Sequence, residues 1–379
     1  MFLNKHHLAL VVSFVLSSCS DIKEVPAEQL DPGSVLAAVT SAQEPSESRQ
    51  IAEGDALVTK ILFGSCADQN DPQPIWKAIN KEVPDVFLFL GDNIYADTED
   101  KQVFEQKYEK LNSIKGFQTL RQNSKILATW DDHDYGVNDG GVDYPAKEIS
   151  RQAMLDFWGE PESSERRSQD WGIYTASYFG PENQRVQIIM LDTRWNRTPL
   201  TALVKDEYKA KRKIFNKGFY IPDTGPQATI LGEKQWQRLE EELKQPADLR
   251  IIASSIQVLS YFTGWESWSN FPQEQARLIE LIKTTKAKNV LLISGDTHSA
   301  DLSEVTDSDG NSLFDLTSSG LTNTGHSPSH NQNRILGPYV GQNYGFIEID
   351  WQAPGRPVLF GVRDVEGVTQ FSKQILIDR

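Results

Sequence analysis

Asp85-Val86-Phe87-Leu88-Phe89-Leu90 runs straight into Gly91-Asp92-Asn93-Ile94-Tyr95-Ala96-Asp97, an apolar stretch that stops abruptly in a polar one. A continuous apolar run of this kind fits a strand buried on both faces, as in a parallel sheet covered from each side. The same design recurs along the chain. Residues 59–64 lead into Ser65-Cys66-Ala67-Asp68, 125–130 into Asp131-Asp132-His133-Asp134, and 185–191 into Asp192-Thr193-Arg194. Residues 249–253 lead into Ser254-Ser255-Ile256-Gln257, and 289–294 into Gly295-Asp296-Thr297-His298. Helical patterns lie between them at 74–81, 145–158, 232–244 and 272–286, the last two opening near Gly232 and Pro272, which suit helix starts. The order is therefore largely β-α-β, with ligands expected at the C-terminal ends of the strands. After Ala300 the chain turns strand-rich at 302–305, 313–317, 344–349 and 357–362, which predicts a second sheet packed on the first in one layered α/β body.

The 379 residues carry 38 Lys+Arg against 53 Asp+Glu, a formal charge of −15. That balance argues against a general nucleic-acid surface, because such affinity rests on Lys and Arg neutralising phosphates. With 9 Trp, 11 Tyr and 17 Phe the chain is not disordered, and 2 Cys exclude a disulfide-stapled scaffold. Length alone suggests two domains; the strand order favours one large one, residues 57–379, on a tether. At the start, Lys5 precedes the apolar run 8–16 and then Ser17-Ser18-Cys19. Residues 1–18 read as a secretory signal, too short to remain as a membrane span. Leu16-Ser17-Ser18-Cys19 resembles a bacterial lipobox, in which the cysteine is acylated; the alternative is a plain signal that happens to end near a cysteine. An acylated Cys19 would anchor the protein at a membrane, and Ser20 favours the periplasmic outer membrane of a Gram-negative host. Residues 19–56, rich in Pro, Ser, Glu, Ala and Gln, form the expected flexible tether.

Cys66, Asp92, Tyr95, Asp132, His133, Asp296 and His298 fall at the ends of four separate strands. Neighbouring strands lie about 4.8 Å apart, so these ends can converge. Several acidic groups in one crevice repel one another unless cations neutralise them. Two cations about 3.5–4 Å apart, sharing Asp92, are an apparatus for phosphoester hydrolysis. They would also let an anionic protein hold an anionic substrate.

Gly91-Asp92-Asn93-Ile94-Tyr95 resembles the GDxxY motif of purple acid phosphatases within the calcineurin-like metallophosphoesterases. Asp131-Asp132-His133-Asp134 stands where that superfamily has GNH(D/E), and Gly295-Asp296-Thr297-His298 where it has GHxH. With Gly64-Ser65-Cys66 at the first strand, the chain from Ile61 onward resembles the PhoD-like alkaline phosphatase/phosphodiesterase family. The resemblance implies a four-layer αββα sandwich, two mixed sheets flanked by helices. It implies that Cys66, Asp92, Tyr95 and His298 hold an Fe(III)-type ion, with Asp92 bridging to a Ca2+ position served by Asp132 and Asp296. Thiolate and phenolate suit Fe(III), carboxylates the harder cation. A metal-bound hydroxide would attack phosphorus while His133 donates a proton to the leaving group.

Two departures from the wider superfamily stand out: Cys66 replaces its first-strand Asp, and Ser254-Ser255-Ile256-Gln257 supplies no imidazole where purple acid phosphatases have VxxH. Both fit the PhoD-like branch. Larger relatives carry an N-terminal β-sandwich where this chain has the tether. Some residues keep bland alternatives. Cys66 is a ligand, a buried apolar thiol or a partner for Cys19; Tyr95 is a ligand or a core phenol; His133 is a proton donor or a plain loop histidine. Asp131, Asp134 and Asp139 compete with Asp132. Arg194 either clamps the substrate phosphate or pairs with surrounding carboxylates, and Asn93 orients a ligand or serves the turn. Trp265 or Trp268, in the aromatic stretch 261–272, packs on a leaving group or on the sheet. His326 and His330 belong to a Ser/Asn/Gly/Pro-rich loop, 318–332, which reads as a lid or a disordered excursion, and the segment from Gly361 could cover the site. The substrates expected are small phosphate esters or phosphodiesters. The rivals are a diesterase acting on phospholipid head groups or wall polymers, and a non-catalytic metal- or phosphate-binding lipoprotein.

Overall fold

Side-chain alternation along the strands sets the layers. Ile61 and Phe63 face one core and Leu62 another; Val86, Leu88 and Leu90 divide in the same way from Phe87 and Phe89. In this computed structural model, which describes residues 53–307, 310–325 and 327–377, those two directions are a neighbouring sheet and a layer of helices. The signal, Cys19 and all of the tether before residue 53 lie outside the described residues.

One mixed sheet has six strands in the order Thr369–Leu376, Pro357–Asp364, Asn343–Ile349, Lys60–Gly64, Val86–Leu90, Lys125–Thr129. The other has seven: Arg334–Tyr339, Ala300–Thr306, Ser312–Ser318, Val290–Ser294, Leu249–Ala253, Val186–Met190, Thr175–Phe179. In the first sheet the last three strands of that order are parallel, with Ile61 opposite Val86 and Val86 opposite Lys125. In the second, Val186–Met190, Leu249–Ala253, Val290–Ser294 and Ser312–Ser318 are parallel to one another. Ile188, Met190, Ile251, Ala253, Leu291 and Ile293 meet Ile61, Phe63, Leu88 and Ile347 in the core between the sheets.

Helices close both outer faces. Helix Ile75–Glu82 buries Ile75, Trp76, Ala78 and Ile79 on the first sheet, beside Phe87 and Phe89. Helix Lys147–Trp158 adds Ala153, Met154 and Leu155 to that layer. On the second sheet, helix Gly232–Leu243 lays Trp236, Leu239 and Leu243 along one face, and helix Pro272–Thr284 buries Leu278, against Ile189, Ile252 and Leu292. Spacings of three and four are the helical period. The expected four layers are therefore present. Helices Lys101–Asn112 and Lys115–Asn123 escaped the sequence reading because they are mostly polar, with Phe104, Tyr108, Leu111, Phe117 and Leu120 carrying their burial. The segment from Gly361 does not cover the site; it completes the edge strands of the first sheet. Among the described residues no helix is long and apolar enough to cross a membrane.

Candidate metal centre

The strand ends converge because the backbone breaks sharply at each of them. Cys66 (φ 61°), Asp92 (φ 51°), Asp296 (φ 72°) and His298 (φ 55°) all take the left-handed conformation, which is uncommon for residues with side chains and concentrates at functional sites. The glycines before the two aspartates permit close approach. A Cβ on Gly91 would lie 2.4 Å from that of Asp131, and one on Gly295 would lie 2.4 Å from Ser65 Oγ. Thr129 Oγ1 donates across to Leu191 O at 2.9 Å, so the two sheets meet directly at these ends.

Cys66 Sγ stands 3.4 Å from Asp92 Oδ2, and the Tyr95 hydroxyl is 3.3 Å from the same oxygen. His298 Nε2 is 3.4 Å from that hydroxyl. Four residues that follow strands Lys60–Gly64, Val86–Leu90 and Val290–Ser294 thus face one space. Donor atoms of Cys66, Asp92 and His298 lie within 4.8 Å of one another; so do those of Asp92, Asp132 and His133, and those of Asp131, Asp132 and Asp296. Asp92 joins the first group to the second, and Asp132 joins the second to the third.

Electrostatics point the same way. Burial, and then the charges of Asp132, Asp131 and Asp134, push Asp92 well above the ordinary carboxylate range. Burial followed by Asp131 and Asp132 does the same to Asp296. Burial and Asp92 push up the Cys66 thiol, which makes no disulfide among the described residues, and burial raises the Tyr95 phenol. Burial would also raise Asp132, but Arg194, His133 and the Asp139 N–H outweigh it and hold it low. One buried oxygen of Asp131 and the Asn93 amide oxygen have no hydrogen-bond partner. A crevice that resists ionising its own donors is completed by cations. Thiol, phenol and imidazole at one end and carboxylates at the other fit two cations of different hardness.

Among the rivals of Asp132, Asp134 is scaffold: it accepts from the N–H of Asp131 (2.6 Å) and Asp92 (3.2 Å) and from the Asn93 side chain (2.6 Å). Asn93 therefore grips the turn through Asp134. Asp139 receives the Tyr220 hydroxyl, while its N–H donates to Asp132 at 2.7 Å. His133 Nδ1 lies 2.8 Å from Asp97 Oδ1, and its ring packs on Tyr95 at 4.3 Å. Burial pulls the imidazole down, but the Asp97 bond and Asp132 raise it more, to about 9.

One expectation is corrected, that for Arg194, and two open alternatives take definite places. Arg194 does not reach toward substrate: fully buried, it pairs with Asp131 and, at 2.8 Å, with Glu266. Trp268 is core, donating to Ser254 Oγ at 3.0 Å and meeting Trp236 edge-on; Trp265 is the exposed one. The loop 318–332 is not simply an excursion. Ser319 Oγ is 3.1 Å from Cys66 Sγ and accepts the His298 N–H at 2.8 Å, and Asn323 donates to the Tyr95 hydroxyl at 3.1 Å. His330 is exposed, and His326 lies outside the described residues. Sequence reading missed Ser319, Asn323, Asp97 and Glu266. Ser319 and Asn323 were within reach, since they follow strand Ser312–Ser318 as the other site residues follow theirs.

Without cations, stability must fall as pH rises. Asp134 and Asp139 keep their protons to about 7 in the folded state, through burial, against 3.8 when unfolded. The folded state then binds more protons across that interval and loses stability as pH climbs through it. Thermal midpoints of chelator-treated protein are expected to drop by on the order of 10 °C between about pH 4.5 and pH 8, and saturating metal should flatten the profile. A chelated protein whose midpoint rises over that range would contradict this electrostatic picture.

A family model described as PhoD-like phosphatase matches residues 61–344. Alkaline phosphatase D of Bacillus subtilis (strain 168) is 22% identical, the match covering 63% of this chain and 46% of that protein. The chain thus spans about half the length of this curated relative. Among solved structures, one of PhoD aligns with 87% of this chain and 73% of its own at TM-score 0.60 and 16% identity. GAP50, described as the anchor in the inner membrane complex of Plasmodium, aligns with 85% of this chain and 90% of its own at TM-score 0.51 and 14% identity. Both likenesses concern the fold.

Proposed function

Because the chain belongs to the PhoD-like phosphatase family, we propose that it hydrolyses phosphate esters at the centre built on Asp92. The observation that carries this reading is the sharing of Asp92 between the Cys66/His298 group and the Asp132/His133 group. In this reading Cys66, Asp92, Tyr95 and His298 would hold an Fe(III)-type ion, and Asp132 and Asp296, with Asp92, would hold Ca2+. Two bound cations would lower the pKa of a water and draw charge from the phosphoryl group. The chain's own residues do the rest. Asp97 holds His133 Nδ1, which leaves Nε2 as the nitrogen able to donate a proton to the departing alkoxide. The packing of His133 on Tyr95 fixes the ring plane.

A diester is the favoured substrate class. With Arg194 taken up by Asp131 and Glu266, that guanidinium does not compensate substrate charge, and a diester carries less charge than a monoester dianion. Assays of metal-replete protein on an aryl phosphate and a bis-aryl phosphate test both points; turnover of neither would overturn the reading. His133→Asn should lower the rate by about 10²–10⁴ while keeping its metals, the range for loss of a general acid. Asp97→Asn should move the basic limb of the pH–rate profile to lower pH, because the carboxylate that raises His133 is gone. An unmoved limb would remove His133 from the proton-donor role. Export and anchoring through Cys19 belong to the same reading, supported by the sequence of residues 1–19; fatty-acid labelling that survives Cys19→Ser would refute the anchor.

A further inference from the structure

In a chain of net charge −15, the excursion after strand Val186–Met190 reverses the local sign. Lys205, Lys209, Lys211, Arg212, Lys213 and Lys217 stand against only Asp206 and Glu207 between residues 204 and 217. Lys205, Lys209 and Lys213 are exposed, and Lys211 pairs with Glu207. Flanking this basic stretch are the two most exposed large hydrophobic residues among those described, Val204 at 69% and Phe215 at 64%. Neither is needed by the fold at that exposure, and a solvated charged face would not be expected to bracket itself with apolar side chains.

The excursion is not loose from the body. Gly218 N donates to Thr263 O at 3.1 Å and Tyr220 N to Gly264 O at 2.8 Å, which sutures it to the aromatic stretch 261–265. Phe219 meets Trp265 edge-on at 5.8 Å, and Trp265 Nε1 donates to Ser329 at 3.0 Å. Tyr261 (48%) and Trp265 (40%) add their exposed rings to the same connected unit. That unit borders the centre: the Tyr220 hydroxyl donates to Asp139, and Glu266, next to Trp265, pairs with Arg194. Exposed lysines combined with exposed aliphatic and aromatic side chains are the chemistry of an interfacial lipid contact, in which Lys supplies attraction to anionic head groups and Trp, Tyr and Phe enter the head-group layer.

We infer that residues 204–217, with Tyr261 and Trp265, form a docking surface for an anionic lipid bilayer, beside the metal centre. The contact would present the crevice to phosphodiesters at a membrane surface rather than to freely diffusing ones. Vesicle binding is read without turnover, so its outcome stands apart from that of the phosphoesterase reading.

The test uses the chain from Ser20 onward, so that neither the apolar signal nor an acyl group on Cys19 can tether it. It is sedimented with vesicles of phosphatidylcholine alone or with about one third phosphatidylglycerol, at about 0.1 M and 0.5 M salt. Binding is expected to the anionic vesicles only and to weaken at the higher salt. Combined Lys205→Gln, Lys209→Gln and Lys213→Gln should weaken it by roughly 100-fold, and Phe215→Ser by about tenfold. All four positions are exposed, so thermal midpoints check that each variant is folded. Equal binding to neutral and anionic vesicles would overturn the inference, as would undiminished binding by the triple variant. Binding to soluble poly(glycerol phosphate) but to neither vesicle would also overturn it, reassigning the basic surface to an anionic polymer.

Discussion

Asp92→Asn is expected to lower kcat/KM on a bis-aryl phosphate by about 10⁴-fold or more and to strip both cation positions. The side chain belongs to two donor groups at once: Oδ2 lies 3.4 Å from Cys66 Sγ, and Oδ1 accepts the His133 N–H at 3.3 Å. An amide offers one neutral oxygen where the carboxylate offers two anionic ones, so neither group stays complete. Polarisation by a cation and activation of water each supply several kcal/mol of transition-state stabilisation, and about 1.4 kcal/mol is tenfold in rate. Losing both therefore reaches 10⁴ without further assumptions. The same change should raise the thermal midpoint of chelator-treated protein, because it removes a carboxyl group whose ionisation burial and the charges of Asp132, Asp131, Asp134 and Asp296 oppose in the folded state but not in the unfolded one. Opposite signs for metal-free stability and for activity separate a ligand from a structural carboxylate. A variant that keeps wild-type metal stoichiometry and turns over within tenfold would exclude Asp92 as the shared ligand.

What was legible in the sequence was what depends on local order. Apolar runs such as Val86-Phe87-Leu88-Phe89-Leu90 became strands because both faces of each are buried, and a run of that kind cannot sit at a wet surface. Gly-Asp at positions 91–92 and 295–296 marked the site because a glycine is needed where one strand end passes within contact of another. Features set by distant partners were not legible. The destination of the Arg194 guanidinium depends on Glu266, 72 residues away. The role of Ser319 depends on Cys66, 253 residues away. Strand Thr369–Leu376 is half exposed at a sheet edge, so its apolar signal is diluted, and the polar helix Lys101–Asn112 hides its buried positions among charges. Trp268 and Trp265 have the same residue type in the same stretch, and only the fold assigned one to the core and the other to the rim.

Arg194→Met is expected to destabilise the protein by about 3–5 kcal/mol, the usual consequence of removing one member of a buried ion pair. Arg194 has no exposed surface, and its guanidinium reaches Asp131, Glu266 and the carbonyl of Gly140. Methionine fills similar volume, so the loss is of charge compensation rather than packing. Asp131 would then be buried without its counter-charge and Glu266 would keep only Arg197, at 3.1 Å, and the thermal midpoint should fall by on the order of 10 °C. Adding Asp131→Asn should recover part of that loss, because the orphaned charge is removed along with its partner, and the non-additivity measures the pair. Metal affinity should suffer as well, since the Arg194 guanidinium does more than His133 or the Asp139 N–H to keep Asp132 ionised. A phosphate clamp makes the contrary prediction: KM rises, the midpoint stays, and Asp131→Asn restores nothing. Stability and KM therefore decide between the two places a strand-end arginine can take, and its full burial between two carboxylates favours the first.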